Sequence, residues 1–76
     1  MSTVDMLIFV RPEFDHDARA SLERKVEGCV GVDCAEFEHK PHPHALVVKY
    51  DPDTIQSSRI LEVVRTVDPA ATKVGL

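Results

Sequence analysis

The spacing of hydrophobic positions along this chain alternates between a two-residue and a near-four-residue period, and the changes of period mark its elements. Residues 4–10, VDMLIFV, are a β-rich run closed by Arg11-Pro12, which predicts a first strand. From Asp15 the period lengthens. Ala18, Leu22, Val26 and Cys29 recur at helical spacing, while Arg19, Glu23, Arg24 and Glu27 fill the other face. Asp15 suits an N-cap, Asp17 in the first turn suits the helix dipole, and Gly28 and Gly31 provide the exit. Residues 32–39 and 44–50 read as a second and a third strand. The two prolines of Lys40-Pro41-His42-Pro43 forbid continuous pairing and make the hairpin loop between them. Asp51-Pro52-Asp53 breaks the chain again. Ile60, Val64 and Val67 then mark a second helix over 57–67, stopped by Pro69, with Ile55 placed to staple onto Ile60. Residues 71–76, ATKVGL, read as a short last strand.

The order is therefore βαββαβ. In 76 residues this closes as one α+β domain, residues 1–76, with a ferredoxin-like fold. Its sheet is four-stranded and antiparallel, with both helices on one face. Strand parity assigns a core of Ile8, Val10, Leu22, Val26, Phe37, Leu46, Val48, Ile60, Val64 and Val67. The same parity places Leu7, Phe9, Ala45, Val47 and Val74 together on the open face. Such an apolar strip reads either as a dimer or partner surface or as ordinary surface apolarity.

Composition narrows the function. The net charge is −4, the wrong sign for a phosphate backbone. One Tyr, three Phe and no Trp offer no stacking platform for single strands, so nucleic acid is excluded as a partner. The Met6–Val10 run is too short for a membrane span or signal peptide, and we read the chain as cytoplasmic with no membrane partner. Two cysteines do not make a disulfide scaffold, and in that compartment they are expected as thiols. Cys29 continues the apolar stripe of the first helix and is expected buried. Cys34 points to the open face with Glu36 and Glu38, so the two belong to different sides of the sheet. No catalytic constellation emerges: Ser57 and Ser58 fall at the opposite end from the histidines, and Arg11-Pro12-Glu13 is too acidic for a phosphate cradle. We expect no enzyme.

Three stretches resemble the heavy-metal-associated domain, the fold of small copper chaperones and of the N-terminal modules of metal-pumping ATPases. Gly31-Val32 opens strand two, Tyr50-Asp51-Pro52 closes strand three, and Ile60-Leu61-Glu62-Val63-Val64 with Lys73-Val74-Gly75-Leu76 is similar to the family's second helix and last strand. The likeness spans nearly the whole chain and implies the same fold. It also implies a Met-Thr-Cys-x-x-Cys loop after strand one, whose two thiolates hold a soft ion. Counted back from Gly31, those cysteines fall at Asp15 and Ala18, where this chain reads Glu13-Phe14-Asp15-His16-Asp17-Ala18. Soft-metal delivery by that route does not carry over.

What the chain has instead is histidine. His39, His42 and His44 fall within six residues, and the topology brings their hairpin to the same end of the molecule as His16. Asp15 and Asp17 supply carboxylates beside His16. Imidazole and carboxylate ligands suit a divalent ion of borderline softness, Zn(II), Cu(II), Ni(II) or Co(II), and bind it only with the imidazoles neutral, so affinity falls below about pH 6.5. The competing reading is that Pro-His-Pro only stiffens a turn. Two functions follow. One is a small cytoplasmic metal-binding protein of chaperone, buffer or sensor type, with a His/Asp site at one end. The other is a protein-interaction or dimerisation module that keeps the fold and works through Leu7, Phe9 and Val47 on its open face.

Overall fold

The computed structural model describes residues 3–11, 13–38 and 44–74. Within them the elements are β1 (Val4–Phe9), α1 (His16–Glu27), β2 (Val32–Phe37), β3 (Ala45–Tyr50), α2 (Ser57–Arg65) and β4 (Thr72–Val74). The sheet order is β2-β3-β1-β4 and every neighbouring pair is antiparallel. This is the ferredoxin-like sandwich the hydrophobic periods imply. The expected ends of strand two and strand four, and the hairpin loop 40–43, lie outside the described residues.

Strand parity fixes which residues meet. Met6 and Ile8 of β1, Ala35 and Phe37 of β2, and Leu46, Val48 and Tyr50 of β3 share one buried cluster with Leu22 and Val26 of α1 and Ile60 and Val64 of α2. Both helices therefore cover the same face of the sheet. Ile55 and Ile60 lie in that cluster too, at the positions flanking the α2 start where a staple belongs. Nine of the ten expected core residues are buried. The exception is Val67, at 36% exposure. The helix ends at Arg65, so the period that nominated Val67 no longer applies there, and Asp68 occupies the buried position instead, at 1% exposure.

On the opposite face Leu7 pairs with both Val47 and Val74, and Phe9 with Ala45, as parity predicts. The strip is less open than expected. Ala45 is fully buried, and Leu7, Phe9 and Val47 are half-buried.

Gly31 sets the start of β2. Its φ of +100° is a conformation that L side chains rarely adopt, and a Cβ there would lie 2.8 Å from Ile55 Cγ2 and 2.9 Å from Thr54 Cγ2. Its carbonyl accepts the Asp51 N–H at 2.8 Å, which ties the entry to β2 to the turn after β3. In that turn Asp51 accepts from the Asp53 N–H and the Thr54 hydroxyl, each at 3.0 Å. The Gly-Val and Tyr-Asp-Pro stretches are thus two halves of one close approach.

Two stability changes follow. Gly31→Ala should lower the unfolding free energy by about 2 kcal/mol or more, since the residue must both hold positive φ and displace Ile55. Leu22→Ala or Ile60→Ala should cost about 2–5 kcal/mol. Urea denaturation measures both; a loss below about 0.5 kcal/mol at Leu22 or Ile60 would mean that the helix faces are misassigned.

Candidate functional site

The end of the sheet where β1 finishes is held by backbone hydrogen bonds. The Val10 N–H donates to the His44 carbonyl at 3.1 Å, and the Glu38 N–H donates to Ala45 at 2.9 Å. Glu38 and His44 therefore lie at the end of the sheet where the loop that joins β1 to α1 begins. His39 and His42 themselves lie outside the described residues.

The β1–α1 loop is fastened from below by a buried carboxylate. Asp68 Oδ2 accepts the Arg11 N–H at 2.8 Å, and Oδ1 lies 3.3 Å from Arg11 Nε and accepts the Ala70 N–H at 3.1 Å. The Arg11 guanidinium also sits over the Phe14 ring, 5.7 Å from its centroid, and Phe14 packs on the core edge. A carboxylate this deep is stable only because its oxygens are met by donors. Asp68 was not singled out from sequence, yet a signal exists. Ile60, Val64 and Asp68 are spaced by four, so an acid continues the buried stripe just beyond the helix end.

The sequence-nominated ligands are arranged as follows. Asp15 is the N-cap of α1, and its Oδ1 accepts the Ala18 N–H at 2.8 Å. The two positions that align with the thiolates of the heavy-metal-associated motif are therefore joined here by a helix cap. Asp17 is exposed in the first turn, where a negative charge complements the helix N-terminus. His16 is exposed and opens a groove of about 450 Å³ between α1 and β2, along which Glu23, Glu27, Glu36 and Glu38 also lie. His44 is half-buried, its ring edge-on to Phe9 with centroids 5.1 Å apart. His16 thus belongs to the helix side of the sheet's edge, and His44 leans on a residue of the opposite face. Among the described residues no group of three or more His, Cys, Asp or Glu side chains is placed to hold a metal ion. His16, Asp15, Asp17 and His44 share an end of the fold without forming a coordination set by themselves.

Both cysteines are free. Cys29 is half-buried rather than fully buried as expected, because α1 ends at Glu27 and the residue sits in the following turn, with its Sγ 3.8 Å from the Lys25 carbonyl. Cys34 pairs across the ladder with Lys49 on the open face. Among the described residues no helix is long and apolar enough to cross a membrane.

No protein-family model and no curated protein matches the chain. Among solved structures, the chain is similar to the crystal structure of oxidized MerP from Ralstonia metallidurans CH34. The TM-score is 0.73 at 12% sequence identity, over 96% of this chain and 96% of that one. The fold is accordingly of the heavy-metal-associated type.

Two measurements check this site. Asp68→Ala leaves the Arg11 and Ala70 amides without their acceptor and should cost about 1–3 kcal/mol of unfolding free energy, with Asp68→Asn losing less; equal loss in both would point to charge rather than hydrogen bonding. Protein purified without reductant should titrate two free thiols per folded chain, and none would refute the placement of Cys29 and Cys34 on different sides.

Proposed function

We propose that this chain is a small cytoplasmic metal-binding protein of chaperone, buffer or sensor type, and not an enzyme. Its site is the end of the fold shared by the β1–α1 loop and the β2–β3 hairpin. His16, His39, His42 and His44 supply imidazoles, and Asp15 and Asp17 supply carboxylates, for one Zn(II), Cu(II), Ni(II) or Co(II) ion. The observation that supports this reading is the pair of hydrogen bonds, Val10 to His44 and Glu38 to Ala45, that sets the described residues Glu38 and His44 at the end of the sheet where that loop begins. The heavy-metal-associated fold supports a metal as cargo, while Asp15 and Ala18 in place of the thiolates favour a harder ion than the family motif takes.

A second reading has its own support. With Asp15 engaged in a cap and His44 against Phe9, a protein partner or second copy docking on Leu7, Phe9 and Val47 would use the fold without the metal. Titration separates the two. One equivalent of Zn(II), Cu(II) or Ni(II) should shift the ring signals of all four histidines and leave Cys29 and Cys34 untouched. Replacing His39 and His44 by Ala together should weaken binding more than tenfold, about 1.4 kcal/mol, with little change in metal-free stability. Binding that survives this double replacement, or that follows Cys34, would favour the interaction module.

A further inference from the structure

The outer edge of the sheet is closed by side chains that the metal reading does not use. β2 is an edge strand. The N–H of Glu38, just past its end, turns inward to Ala45 of β3, so the alternate N–H groups of Ala35 and Phe37 point outward, away from the ladder. An exposed row of such donors is a template for adding another strand. Here both are taken. Glu23 Oε2 accepts the Phe37 N–H at 2.7 Å, and Glu27 Oε2 accepts the Ala35 N–H at 3.3 Å.

The helix geometry explains how. Glu23 and Glu27 are four residues apart and stack on one flank of α1. Each follows directly on a core anchor, Leu22 and Val26, which holds the helix over the sheet. Their carboxylates therefore overhang the strand edge at the two-residue repeat of its outward donors. Natural edges are commonly blunted by charge, bulges or short length. This one also has a register irregularity between Val32 and Cys34, but the carboxylates act on the donors themselves.

We propose that Glu23 and Glu27 close the β2 edge against pairing with a second copy of this chain, and so keep it monomeric through that edge. Self-pairing of two β2 strands would require the Ala35 and Phe37 donors. It would also bring the carboxylates of two copies together, Glu36 and Glu38 included, on a chain whose net charge is −4. A Gln side chain retains an acceptor oxygen and an Ala side chain does not, which separates hydrogen bonding from charge.

The test compares the wild-type chain with Glu23→Ala/Glu27→Ala and Glu23→Gln/Glu27→Gln, by amide hydrogen exchange and by light scattering over a concentration series. In the wild type the Ala35 and Phe37 amides should be protected and the chain monomeric. The Ala pair should speed exchange at those two amides more than tenfold while core amides such as Ile8 stay protected, and should give a dimer that grows with concentration. The Gln pair should keep most of the protection and remain monomeric. If the Ala pair does not fold, each single Ala replacement should open only its own amide. Equal exchange at Ala35 and Phe37 in wild type and Ala variants would overturn the proposal. So would an Ala pair that stays monomeric, or a wild-type dimer paired through β2.

Discussion

The end of the molecule where β1 finishes depends on one buried carboxylate. Asp68 lies just past α2, and it accepts from the Arg11 amide at the exit of β1 while its second oxygen meets the Arg11 guanidinium and the Ala70 amide. Without those donors a carboxylate at 1% exposure would be strongly disfavoured. With them, the β1–α1 loop, the α2–β4 turn and the start of β4 are parts of one hydrogen-bonded unit, extended by the Arg65 side chain on the Ala71 carbonyl at 2.9 Å. At the other end of the sheet Gly31 plays the comparable part, joining the start of β2 to the turn after β3 through a contact that admits no Cβ.

Within this frame the loop after β1 leads into a helix start capped by a side chain. Where the heavy-metal-associated motif places two thiolates, Asp15 and Ala18 form the opening hydrogen bond of α1. The cap starts the helix at His16 and so places His16 and Asp17 on its first turn. Glu38, just past β2, and His44, just before β3, are the described residues that face this end. A ligand set built this way is made of nitrogen and oxygen donors on two elements rather than sulfur donors on one loop.

Most of the fold was legible because its signals are periodic. The β1, β2 and β3 residues alternate, Leu22 and Val26 repeat at helical spacing, and Asp15 at the helix start caps as its chemistry predicts. What failed did so where a period ends. Val67 lies beyond the helix end at Arg65 and is exposed, and Cys29 lies beyond the helix end at Glu27 and is only half-buried. What was missed depends on pairing distant in sequence. Asp68 and Arg11 are 57 residues apart, and Glu23 and Glu27 find their partners on a strand whose edge position only the sheet order reveals. Of the candidate ligands, the described His16 and His44 face differently: His44 leans on Phe9, away from the groove that His16 opens, a side-chain contact that strand parity does not foretell.

We propose that the function resides at the end of the fold shared by the β1–α1 loop and the segment that joins β2 to β3. Mapping a bound paramagnetic ion tests it most directly. One equivalent of Co(II) added to the isotope-labelled protein should broaden or shift amide signals around residues 10–17, 38–44 and 68–71. The effect should fall with distance and be weakest at Gly31 and Asp51, at the far end of the sheet. Perturbation centred on Cys34 and Lys49, or none at stoichiometric Co(II), would contradict it.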